Sequence, residues 1–141
     1  MPYTNDRRDG VMAAATRRPL DGLTVLVVDD HRDTVEMMQE YLTACGATVL
    51  PAFSAKAALV LAKTIAVDAA LVDLRMPGED GRWFLHELRA SGTRSANAAV
   101  FALSGERHDP PESSGFAGYF LKPVDLDRLV RTLATLPRRS T

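Results

Sequence analysis

A chain of 141 residues is the size of one domain and can enclose a core without metal or disulfide staples, and its single cysteine excludes an internal disulfide. A formal charge of −1 with 25% charged residues offers no whole-chain attraction to nucleic acid or to an anionic membrane surface. No apolar stretch approaches the roughly 18 residues of a membrane span, and residues 11–15 are too short for a secretory core, so a cytoplasmic protein without nucleic-acid binding is expected.

Residues 1–21 mix Arg7, Arg8, Arg17 and Arg18 with acids, Pro2 and Pro19, and show neither helical nor alternating periodicity. They read as a disordered tail ahead of a domain over 22–137, with 138–141 a short second tail. Thr24 to Val28 is a β-branched apolar run that reads as a strand and ends in two acids, Asp29 and Asp30. Val35, Met38, Leu42 and Cys45 then recur at helical spacing, with Cys45 read as a buried, inert thiol. Gly46 supplies the helix stop, and residues 47–50 make a short second strand. Ser54 is a candidate cap for a helix with Ala58, Leu59 and Ala62 on one side.

Residues 69–74 carry five apolar side chains in six positions, which leaves no wet face. Such a strand is covered on both sides in a mostly parallel sheet, and this one delivers Asp73 to a turn at Pro77 and Gly78. Asp80 can cap the next helix, with Phe84, Leu85 and Leu88 inward and Trp83 toward the polar side. Residues 98–103 form a fourth buried strand ending at Ser104, and residues 119–121 a fifth ending at Lys122 and Pro123. Asp125 caps a last helix with Leu126, Leu129, Val130 and Leu133 inward, stopped at Pro137. His31, His86 and His108 are scattered and read as surface positions.

Strands alternating with helices predict an α/β fold, a doubly wound five-stranded parallel sheet whose carboxyl ends open on one edge. That edge collects Asp29, Asp30, Asp73, Ser104 and Lys122. Singly, the acids could be caps, Ser104 a turn residue and Lys122 a solvated charge; together they differ in a chemically useful way. Three neighbouring carboxylates repel one another and attract a hard cation, and oxygen ligands favour Mg²⁺ over zinc, for which no Cys/His cluster has workable spacing. Between such an ion and the Lys122 ammonium, a carboxylate can act as nucleophile toward a phosphoryl group, to which the Ser104 hydroxyl can donate.

The stretches Val-Leu-Val-Val-Asp-Asp at 25–30, Leu-Val-Asp-Leu-Arg-Met-Pro-Gly at 71–78, Ala-Leu-Ser at 102–104 and Tyr-Phe-Leu-Lys-Pro at 119–123 resemble the receiver domain of two-component response regulators, a likeness running over about residues 23–136. The resemblance implies the flavodoxin-like strand order 2-1-3-4-5. It implies that Asp73 is the phosphoacceptor, that Asp30 binds Mg²⁺ directly and Asp29 largely through water, and that Arg75 offers its backbone carbonyl to the metal. Lys122 matches the phosphate-binding lysine joined to Pro123 by a cis peptide, Ser104 the switch hydroxyl and Tyr119 the switch aromatic. By the same resemblance, phosphate comes from a histidine kinase or histidine phosphotransfer protein. The resemblance further implies that the only catalysis is self-phosphorylation and dephosphorylation of Asp73, and that the phosphoprotein switches binding to a downstream protein in a two-component phosphorelay.

The chain departs from the family between Ser104 and Tyr119, where Gly105, Pro110, Pro111 and Gly115 leave room for a turn or two, a shortened or irregular fourth helix in a mobile segment over 105–117. No output domain follows Leu136, which reads as a lone receiver or one cut from a larger protein. A Mg²⁺ phosphohydrolase with an aspartyl-phosphate intermediate is the competing enzyme reading. Haloacid-dehalogenase-type hydrolases, however, carry Asp-x-Asp on the first strand, where this chain has Asp29-Asp30-His31. A receiver-like scaffold that never takes phosphate is the other alternative, and the complete polar set argues against it.

Overall fold

The protein is described by a computed structural model over residues 18–105 and 115–138. Strand β1 (Thr24–Val28) leads into helix α1 (Arg32–Ala44), β2 (Thr48–Ala52) into α2 (Ala55–Thr64), and β3 (Ala69–Asp73) into α3 (Gly81–Arg89). A 3₁₀ turn (Arg94–Asn97) precedes β4 (Ala99–Ser104), and β5 (Gly118–Leu121) is followed by α4 (Leu126–Ala134). The strands pair in parallel in the order β2-β1-β3-β4-β5, the expected flavodoxin-like arrangement with β3 at the centre.

Strand periodicity explains the unbroken apolar runs. Leu26 and Val28 of β1, Ala70 and Val72 of β3 and Val100 and Ala102 of β4 face a core built with α2 and α3. Val25, Val27, Ala69, Leu71, Phe101 and Leu103 face the opposite core, built with α1 and α4. Alternate residues thus point into different cores, and all five residues of β3 are buried. The inward stripes are Val35, Met38 and Leu42 on α1, Ala55, Ala58 and Ala62 on α2, Phe84, Leu85 and Leu88 on α3, and Leu129 and Leu133 on α4. The three proposed caps form: Ser54 accepts from the Ala57 N–H, Asp80 from those of Arg82 and Trp83, and Asp125 from that of Arg128.

Four details correct the sequence reading. Leu20 is fully buried in the α1–α4 core and its N–H donates to the Cys45 carbonyl at 2.8 Å, so residues 18–21 belong to the packed domain. An isolated leucine among turn residues has no periodicity to announce it. Arg138 is likewise no free tail, since its guanidinium donates to the carbonyls of Pro19, Asp21 and Leu136. Cys45 is half-buried rather than enclosed. Trp83 is half-buried too, packed against the α2–α3 core although its neighbours are polar.

Gly46 sits at φ +107°, where a Cβ would collide with the Asp21 carboxylate, so only glycine closes this turn. Among the described residues no helix lies between β4 and β5; the shortened helix and the mobility expected there fall largely on residues 106–114, outside the described part, as do residues 1–17, His108 and 139–141. No helix among the described residues is long and apolar enough to cross a membrane.

Candidate functional site

Asp29 is the first residue past β1 and is held at the sheet edge by its N–H, which donates to the Ala52 carbonyl at 3.2 Å. Its side chain is fully buried. One carboxylate oxygen accepts from Lys122 Nζ at 2.7 Å, and the other accepts from the His31 N–H at 3.0 Å and lies 3.1 Å from His31 Nδ1. Asp30 turns outward, with its Oδ1 3.4 Å from the same imidazole nitrogen.

Asp73 closes β3 and keeps only 5% of its surface exposed. Its Oδ1 accepts from the Arg75 N–H at 3.1 Å, a local turn that orients the carboxylate, and its Oδ2 pairs with Lys122 Nζ at 3.2 Å. Lys122 follows β5, donates its N–H to the Ser104 carbonyl at 2.7 Å, and joins Pro123 through a cis peptide bond. Ser104 is buried at the end of β4, one residue beyond Leu103, the register partner of Asp73. Tyr119 is half-buried on β5 with its ring centroid 6.0 Å from that of Phe116. Arg75 is exposed just beyond the acceptor strand.

Burial and charge pull these groups in different directions. Burial pushes the Asp29 carboxyl up, but the Lys122 hydrogen bond and the two contacts from His31 outweigh it and hold the group below its ordinary range. At Asp73 burial dominates, the Arg75 N–H opposes it, and the nearby Asp29 charge adds to it, so this carboxyl lies above its ordinary value. Burial alone would lower Lys122, yet hydrogen bonding to Asp29 and the Asp73 charge raise it and keep it an ammonium. Two carboxylates, Asp29 and Asp73, therefore share one lysine. Asp29, Asp30, His31 and Asp73 each offer one ligand atom, all within 4.8 Å of one another, a donor set that could hold a metal ion.

The fold thus brings Asp29, Asp30, Asp73 and Lys122 together and places Ser104, Tyr119 and Arg75 on the elements around them. Two contributors escape the sequence reading. His31 is an exposed histidine, yet its backbone and ring both address Asp29; its place directly after the acid pair was the available signal. Gly81 starts α3 so close to β3 that a Cβ there would lie 2.8 Å from the Asp73 carbonyl oxygen, a contact that sequence spacing does not reveal.

The family described as response regulator receiver domain matches residues 25–134. A response regulator receiver protein of Anaeromyxobacter sp. is 33% identical over 106 residues, covering 74% of this chain and 44% of the relative. The virulence sensor protein BvgS of Bordetella pertussis is 30% identical over 129 residues, covering 86% of this chain and 10% of the relative. The chain therefore spans less than half the length of these curated relatives. Among solved structures, the chemotaxis protein CheY4 of Vibrio cholerae matches with a TM-score of 0.73 at 26% identity, over 82% of this chain and 98% of that one. The receiver domain of Francisella response regulator 1452 matches with a TM-score of 0.68 at 30% identity, over 79% and 96% of the two chains.

Proposed function

The chain belongs to the response regulator receiver family, and from that premise we propose that Asp73 accepts a phosphoryl group from a histidine kinase or histidine phosphotransfer protein and so switches binding to a downstream protein in the cytoplasm. A carboxylate oxygen of Asp73 attacks the phosphorus of a phosphohistidine, the P–N bond breaks, the leaving imidazole takes a proton, and an acyl phosphate forms. Asp29, Asp30, Asp73 and the Arg75 backbone carbonyl would hold Mg²⁺, which supplies charge neutralisation on the transferred oxygens. The hard oxygen donors of the cluster fit such an ion.

Lys122 has three N–H donors; among the described residues Asp29 and Asp73 take two, which leaves a third for a phosphoryl oxygen. Asp29, kept ionised by Lys122, holds that ammonium in place. The Arg75 N–H on Oδ1 leaves Oδ2 of Asp73 toward the lysine. Ser104 donates its hydroxyl to the phosphoryl group, which links the state of Asp73 to β4 and, through the Lys122 N–H on the Ser104 carbonyl, to the end of β5. The domain's own catalysis is confined to gaining and slowly losing this phosphate.

The observation that carries the reading is Lys122 Nζ held between Asp29 at 2.7 Å and Asp73 at 3.2 Å. Incubation with Mg²⁺ and acetyl phosphate, borohydride trapping and mass spectrometry should place the label on Asp73 alone and find none in Asp73→Asn. Label at another residue, or undiminished labelling of the variant, overturns the assignment.

A further inference from the structure

We propose that His31 is a nitrogen ligand of the cation site, which gives the site a preference for transition-metal ions such as Co²⁺ over Mg²⁺; the inference rests on the cation-binding reading of Asp29, Asp30 and Asp73. His31 stands at the N-cap of α1 with extended backbone, φ −89° and ψ 109°, and its own N–H is anchored on Asp29 Oδ1 at 3.0 Å. That anchor fixes where the imidazole starts. Nδ1 lies 3.1 Å from Asp29 Oδ1, to which it donates when it carries the proton, and 3.4 Å from Asp30 Oδ1; a bound cation would take the place of that proton. Neighbouring ligand atoms around a six-coordinate ion with bonds near 2.1 Å are themselves ~3 Å apart, close to the separations of Nδ1 from the Asp29 and Asp30 oxygens.

The ring keeps 70% of its surface exposed, so it can turn without disturbing the core. Chemistry then decides which ion benefits. Mg²⁺ prefers oxygen and retains its waters, and an imidazole adds little to its binding. For Co²⁺ and its neighbours imidazole is a strong ligand, and their affinities rise along the first transition row. Replacing a water by His31 therefore strengthens the second class selectively. The competing role for the same ring is that of an imidazolium, which would screen the acids and compete with any cation.

Calorimetric titration of the full chain and of His31→Phe with Mg²⁺ and with Co²⁺, at a pH where imidazole is neutral, separates these roles. The expected result is a loss of about tenfold or more in Co²⁺ affinity in the variant, with Mg²⁺ affinity changed by less than about twofold. Pulsed EPR of the Mn²⁺-loaded protein should show a ¹⁴N coupling that His31→Phe lacks. Circular dichroism of the variant should be unchanged, since the substituted side chain is exposed. If both ions lose affinity equally, if both bind more tightly in the variant, or if no ¹⁴N coupling is seen, the ligand role is wrong while the cation site stands. Absence of binding by wild type to either ion would overturn the cation site itself, and the inference with it.

Discussion

A Cβ at position 81 would lie 2.8 Å from the Asp73 carbonyl oxygen and 3.1 Å from a Val72 methyl. The first neighbour is backbone and cannot rotate away, so α3 would have to retreat from β3, and the chain between Asp73 and Asp80 with it. In an open helix, glycine to alanine gains up to about 1 kcal/mol, whereas overpacking costs roughly 1–3 kcal/mol, so crowding should win here. Gly81→Ala is expected to lower the unfolding free energy by about 1 kcal/mol in urea titration and to slow acetyl phosphate labelling of Asp73. A variant as stable and as readily labelled as wild type would show that α3 has slack at this point. The same residue-level economy governs charge: Asp29 and Asp73 are both buried at strand ends, but only Asp29 has contacts enough to overcome its burial.

Helices α1 and α4 cover the same face of the sheet, and a polar contact joins them: Tyr41 Oη donates to Asp127 at 2.8 Å. That hydrogen bond, followed by burial and by the Asp127 charge, raises the phenol above its ordinary value. A raised pKa means that the bond's contribution to stability is present in full below the unfolded tyrosine value of about 10. It is lost as pH climbs through the higher folded value. Ultraviolet titration should therefore find a tyrosine in Asp127→Asn that ionises earlier than in wild type. Coincident titration curves would mean that the two helices are not tied here in solution.

Over the whole molecule, parallel pairing sets the carboxyl ends of all five strands on one edge, so a chemical change at Asp73 is one strand away from Ser104 and two from Tyr119 and α4. Beryllium fluoride with Mg²⁺, as a phosphoryl mimic, should shift NMR signals of Ser104, Tyr119 and α4, and Ser104→Ala should confine the response to the surroundings of Asp73. A coupling of about 1–3 kcal/mol corresponds to roughly 5–150-fold in partner affinity. If α4 and Tyr119 remain unmoved in wild type, output does not run by this route. The strands, the caps at Ser54, Asp80 and Asp125, and the polar residues at strand ends were legible in local pattern, because periodicity and capping act over a few neighbouring residues. The strand order was legible only through family motifs. Tertiary structure alone decided that Leu20 and Arg138 belong to the packed domain and that a Cβ at position 81 would crowd the Asp73 backbone. Each of these depends on how closely separate elements or side chains approach in space, a distance set by packing and invisible to local pattern.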